Sequence, residues 1–207
     1  MKTLFLIPLL VLIGVVQSIS SPMLLQLDAA YRPQVKTSRI DYPYLSAWEG
    51  FVDIPSFGLR TATNIHNEWY LAVYYRYLHK SDGIDGGNNI SLDRQIITVG
   101  PYYRSPTTES GSFFINLYLG IGVALSDFEM DIGGKTDKLS GNYISLIFGL
   151  EFEKNIFGDF SLLSRLNYSM INSKLKGDIG EQGIPIEITL KNSGLDIALG
   201  IGYKFEI

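Results

Sequence analysis

Large apolar residues recur at every second position over many separate stretches of this chain. From Leu195 to the end the apolar positions are Leu195, Ile197, Leu199, Ile201, Tyr203, Phe205 and Ile207, with Asp196, Ala198, Gly200, Gly202, Lys204 and Glu206 between them. Successive side chains of a strand point to opposite faces, so this stretch predicts a strand with one apolar face and one small or polar face. Phe113–Leu125 repeats the pattern, with Phe113, Ile115, Leu117, Leu119, Ile121, Val123 and Leu125 opposite Ser112, Phe114, Asn116, Tyr118, Gly120, Gly122 and Ala124.

Six further strands follow from the same reading. The first starts near Leu25 and ends at Pro33; the second is least regular, clearest over Phe57–Ala62, with Pro55 marking a bulge or late start. Others span Glu68–Tyr77, Arg94–Arg104 (with Pro101, which lacks a donor, inside it), Tyr143–Phe152 and Leu162–Met170. Before Leu195, the residues Ile186, Ile188 and Leu190 have the opposite parity, which predicts a bulge or break at Asn192–Gly194. Connections after the second, fourth and sixth strands are short. Those after the first, third, fifth and seventh read as long and polar, among them Lys80–Leu92, Asp127–Leu139 and Lys174–Pro185. No helix and no long repeat appears. The prediction is an all-β chain: a closed antiparallel up-and-down eight-stranded barrel, with both termini on the short-turn side.

A soluble lipocalin-like barrel, apolar inside, is the competing architecture. Against it, the second face is glycine-rich, which suits a crowded interior. It also carries isolated charges of both signs: Asp28, Arg32, Arg60, Glu68, Arg76, Arg94, Arg104, Glu151, Arg165, Asp196 and Lys204. Tyr31, Trp69, Tyr77, Tyr103, Phe113, Phe152 and Tyr203 fall near strand ends, as interfacial aromatics of a transmembrane β-barrel do. The apolar faces are therefore expected to meet lipid, with Leu117, Leu119, Ile121, Leu146, Phe148, Leu150, Ile197, Leu199 and Ile201 outward. By register, Asp196 is expected to pair with Arg32 or another inward arginine across the closing seam, and Glu151 to lie near Arg165.

Composition agrees. Charged residues are 18% of the 207, against about 25% in ordinary soluble domains. Thirteen Tyr, 11 Phe and 21 Gly fit a membrane barrel, and the absence of Cys excludes thiolate metal sites and thiol catalysis. A net charge of −4 without a basic cluster argues against nucleic acid. Residues 1–20 read as a cleaved secretory signal: Lys2, the apolar run Leu4–Val16, then Ser18-Ile19-Ser20, with cleavage after Ser20 or, alternatively, Ser18. Residues 21–207 form the barrel domain.

The ending Gly202-Tyr203-Lys204-Phe205-Glu206-Ile207 resembles the C-terminal signature of bacterial outer-membrane β-barrels, with Ile207 where that family most often has Phe. The whole pattern is similar to the small OmpA/OmpX-type barrels. That resemblance implies an integral outer-membrane location, outer-membrane lipids and lipopolysaccharide as surroundings, recognition by the barrel-assembly machinery through the last strand, and a monomer.

The chemistry is sparse. His79-Lys80-Ser81 with Asp82 beside it is the nearest match to the His and Ser of barrel enzymes that deacylate lipid A, but the family's following Asn is missing and the motif sits at a strand end. Asp82–Asn89 gathers oxygens without calcium-loop spacing. Inward Tyr70, Tyr74, Tyr102, Phe114 and Tyr118 would fill a narrow lumen and leave no open pore. The expectation is a non-enzymatic surface barrel with a structural or ligand/host-interaction role, with no catalytic, cofactor or metal residues; the alternatives are a lipid A acyl hydrolase and the lipocalin-like binder.

Overall fold

The computed structural model describes residues 22–40, 50–84, 88–108, 111–179, 183–191 and 193–205; residues 1–20, expected to be a signal, and Ile207 lie outside them. The strands are β1 (Met23–Ile40), β2 (Gly50–His66), β3 (Trp69–Ile84), β4 (Asn88–Pro106), β5 (Phe113–Ile132), β6 (Lys135–Phe157), β7 (Phe160–Met170), β8 (Asn172–Ile179), β9 (Ile184–Lys191) and β10 (Gly194–Phe205). Consecutive strands from β1 to β7 pair antiparallel, and β10 pairs with β7 on one side and β1 on the other, closing a ring of eight. Beyond the ring, β8 continues the line of β7 and β9 that of β10, pairing with β6 and β1 respectively. The expected break before Leu195 separates β9 from β10. Both described termini lie at the end with the Asn67–Glu68 and Gly158–Asp159 turns, where Asn64 N donates to Pro22 O and Lys204 N to Asp159 O, both at 3.0 Å.

The nine residues predicted outward do face outward: Leu119, Ile121, Leu199 and Ile197 are more than half exposed, and Leu150 is partly so. With Leu27, Phe57, Leu71, Val99, Leu162 and Leu166 they form a continuous apolar belt around the wall. A water-exposed belt of this extent is untenable on a monomer. It is the lipid-facing surface. Aromatic pairs mark its turn-side margin: Trp69 against Tyr103 at 4.9 Å between ring centroids, and Phe160 against Tyr203 at 4.7 Å.

The strands run far beyond this belt. β5 has 20 residues; at about 3.3 Å each and a tilt near 40° such a strand stands roughly 50 Å tall, twice an apolar band of about 25 Å. Its outward residues are apolar from Phe113 to Leu125, then Asp127, Glu129 and Asp131; its inward residues change from Asn116, Tyr118 and Gly120 to Phe128 and Met130. The hydrophobic sense inverts where lipid gives way to water. We call this upper part the crown. Its interior is a cluster of Val35, Phe51, Ile54, Leu78, Ile90, Leu92, Phe128, Met130, Leu139, Leu175, Ile186, Ile188 and Leu190.

The crown corrects several expectations. All of Asp127–Leu139, and the described residues of Lys80–Leu92 and Lys174–Pro185, extend paired strands rather than forming polar loops, the first turning at Gly133-Gly134 with φ of 61° and 80°. Pro33 does not end the first strand. β1 and β2 invert faces together there, where Pro33 stands opposite Asp53 with φ 54°, so that Arg32 and Val35 are both buried. The irregularity expected at Pro55 is thus centred at Asp53. Pro101 is accommodated because the β4–β5 ladder passes from Val99↔Ile121 to Tyr102↔Tyr118 while Leu71↔Pro101 pairing with β3 continues. Glu68 is not inward; it is exposed in a turn.

Leu119→Arg, near the middle of the belt, is expected to lower unfolding stability in lipid vesicles by roughly 2–4 kcal/mol. Thr136→Arg, on the exposed crown wall, is expected to stay within about 0.5 kcal/mol of the parent. Similar losses at both sites in equilibrium denaturation would refute the belt.

Candidate functional site

Within the lipid-spanning half, the lumen is packed with charge. Because every second residue of each wall strand points inward, among the described residues five arginines (Arg32, Arg60, Arg76, Arg104, Arg165) meet four carboxylates (Asp28, Glu151, Glu153, Asp196), with Arg94 above them. The expected seam pair forms: Arg32 Nε donates to Asp196 Oδ1 at 2.5 Å and Nη2 to Oδ2 at 2.8 Å, a bidentate contact, while Arg76 Nη1 donates to the same carboxylate. The Tyr31↔Ile197 register puts these side chains level. Glu151 sits directly opposite Arg165 and accepts from its Nε at 2.6 Å, from Arg60 Nη1 at 3.1 Å, from Tyr102 OH at 2.7 Å and from Asn116 Nδ2 at 2.9 Å. Arg165 Nη1 reaches Asp28 at 2.5 Å, and Arg104 forks onto Glu153 at 2.8 and 2.9 Å. Glu153 was missing from the inward charges read in the sequence, although its parity with Glu151 assigns it there.

Tyrosines fill what remains. The Arg60 guanidinium lies 4.5–5.1 Å from the ring centroids of Tyr74, Tyr102 and Tyr118. All five predicted lumen aromatics are buried. A Cβ at Gly58 would approach the Asp28 carboxylate and Tyr74 hydroxyl to 2.5–2.7 Å and force those groups to shift. Charged belt below and apolar cluster above leave the lumen plugged by its own side chains. Arg94 marks the boundary: it has no carboxylate partner among the described residues, holding Ser126 Oγ at 2.7 Å and Ser173 Oγ at 3.0 Å, with Nη1 unpartnered.

On the outer wall, His79 is half-exposed and its Nδ1 lies 3.0 Å from Asp93 Oδ1, its partner across the β3–β4 ladder. Tyr77 OH donates to the same carboxylate oxygen at 2.6 Å. The acid beside His79 is therefore Asp93, not Asp82, which instead pairs with Lys80 at 3.4 Å. Ser81 shares the outward face with His79. Neither histidine partner set includes Ser81, and an acyl-transfer site needs that contact plus donors for an oxyanion. Of the Asp82–Asn89 stretch, Asp85–Gly87 lie outside the described residues; among the described residues no three His, Cys, Asp or Glu side chains gather as a metal site. Elsewhere on the crown Lys138 bridges Glu129 at 3.1 Å, which raises its pKa, and Lys176 bridges Glu187 at 3.3 Å, which holds that carboxyl below its ordinary value.

Solved structures share this wall. OprG from Pseudomonas aeruginosa aligns with a TM-score of 0.63 at 15% identity, covering 90% of this chain and 97% of that one. The fold is that of the small outer-membrane β-barrels. Ail, the attachment invasion locus protein of Yersinia pestis, aligns at 0.57 with 16% identity over 90% of this chain and all of that one, and Neisserial surface protein A at 0.52 with 17% identity over 89% and 97%. Ail has also been solved with the heparin analogue sucrose octasulfate. No protein-family model and no curated protein sequence matches the chain.

Removing Asp196 leaves two buried arginines without their carboxylate, so Asp196→Ala is expected to lower stability in detergent by about 3–5 kcal/mol. Adding Arg32→Met should recover part of that loss. Strictly additive losses in the double-mutant cycle would show that the seam charges are uncoupled.

Proposed function

We propose that this chain is a non-enzymatic integral protein of the bacterial outer membrane that serves as a structural or surface-binding barrel, with its crown as the working surface. The observation that carries this reading is the inversion of polarity along β5: an apolar exterior over Phe113–Leu125, then Asp127, Glu129 and Asp131 around an apolar core. Such a wall suits one medium at one end and water at the other. The packed lumen argues against a solute channel. Outer-membrane lipids and lipopolysaccharide would surround the belt. Residues 1–20 would direct export, the last strand would engage the barrel-assembly machinery, and the barrel would act as a monomer.

The test uses the mature protein, residues 21–207, refolded into detergent and vesicles and followed by gel mobility with and without boiling. A faster unboiled band that shifts on boiling, with the native protein in the outer-membrane fraction, is expected. A soluble monomer with no heat-dependent shift would overturn the reading.

The His79–Asp93 contact favours one second reading, an esterase on the outer wall in which Asp93 orients His79 and Ser81 attacks an acyl ester. The first reading predicts no loss of acyl chains from lipid A incubated with the protein, by mass spectrometry. Acyl loss that disappears in both His79→Ala and Ser81→Ala would establish the second instead.

A further inference from the structure

Among the described residues, the wall is interrupted on the lipid margin between β1 and the β10–β9 line. The β1–β10 ladder stops at Tyr31↔Ile197, and β1 pairs again only at Lys36↔Lys191 of β9. Pro33, which has no N–H to offer, lies in this interval. A cleft of about 420 Å³ opens there, lined among others by Pro33, Lys36, Asn172, Lys191, Ser193 and Leu195.

Its charge is one-sided. Val35 and Leu190 are fully buried, so their neighbours Lys36 and Lys191 turn outward, directly opposite each other. Like charges at facing positions on a ladder repel. Lys174 and Lys176 on the adjacent strand have Glu187 at 3.6 and 3.3 Å, whereas no ion pair joins Lys36 or Lys191 to a carboxylate among the described residues. Asn172, opposite Lys191 on its other side, adds an amide.

Its height is equally specific. Immediately below stand the belt residues Tyr31, Met170 and Ile197; immediately above stand the exposed Lys174 and Lys176. One side of the cleft is apolar (Pro33, Leu195) and the other basic and polar. A soluble anion has no use for the apolar half, and a neutral lipid none for the two lysines.

We propose that this cleft binds a phosphate-bearing amphiphile of the outer leaflet, with its phosphate between Lys36 and Lys191 and its acyl-bearing part against Pro33 and Leu195. The site rests on the membrane-barrel reading above. A phosphate between the lysines removes their mutual repulsion, and the break in the ladder supplies the depth that a flat wall lacks.

The experiment titrates the refolded mature protein in neutral detergent with bisphosphorylated lipid A, with the same lipid after enzymatic dephosphorylation, and with inorganic phosphate, reading bound lipid by native mass spectrometry. At about 1 kcal/mol for each of the two lysines, the phosphorylated lipid is expected to bind roughly 30-fold tighter than the dephosphorylated one. Lys36→Gln with Lys191→Gln should abolish that preference, while Lys135→Gln with Lys138→Gln, at the crown tip, should preserve it. Equal binding of the two lipids, an unchanged preference in the cleft variant, or displacement of the lipid by millimolar inorganic phosphate would each overturn the proposal. Heat-shifted mobility of the variant keeps this outcome separate from failure of the barrel itself.

Discussion

Hydrocarbon offers no partner to a peptide N–H or C=O, so a sheet within it must have no free edge. Here that constraint falls on the pairing of the first strand with the last, from Met23↔Phe205 to Tyr31↔Ile197. The register that satisfies the backbone also sets Arg32 level with Asp196, and the eight-strand circumference leaves a lumen too narrow to hydrate them. Charges so placed must pair with each other. The lumen network is therefore a consequence of closure as much as a filler of it. Its contribution to net stability is modest, since desolvation offsets most of the attraction.

The crown follows from the opposite condition. Once the wall rises out of lipid, water can lie against its outer face, and the inner face can become an ordinary apolar core. β4 and β5 pass through both regimes without a break: Arg94 and Ser126 are the last polar inward residues of the belt, and Leu92 and Phe128 the first of the cluster above. The described residues form a platform of paired strands above the lipid margin. Polar side chains on it, including the His79–Asp93 pair, are held at ladder positions, and a surface built this way presents groups at fixed spacing.

Fold and role are separable in such barrels. The solved structures that match at 15–17% identity share the fold with this chain. What a barrel of this fold does must lie in residues the wall does not need, and here these are the crown and the lipid margin.

The sequence by itself determined the eight-strand count, the outward belt, the break before β10, the lumen tyrosines and the Arg32–Asp196 and Glu151–Arg165 pairs, because period-two alternation and antiparallel register are local arithmetic. It hid the crown for an instructive reason. Asp127-Phe128-Glu129-Met130-Asp131-Ile132 alternates as regularly as the belt, but with its apolar residues on the inward parity, so it reads as a polar connection when one polarity is assumed throughout. Only the tertiary structure decided where that polarity reverses, since the reversal depends on the height of each strand relative to the lipid boundary. It alone likewise decided that Asp93 rather than Asp82 stands beside His79, and that Lys36 faces Lys191. Contacts between strands far apart in sequence are set by how the barrel's stagger closes, and no single strand carries that information.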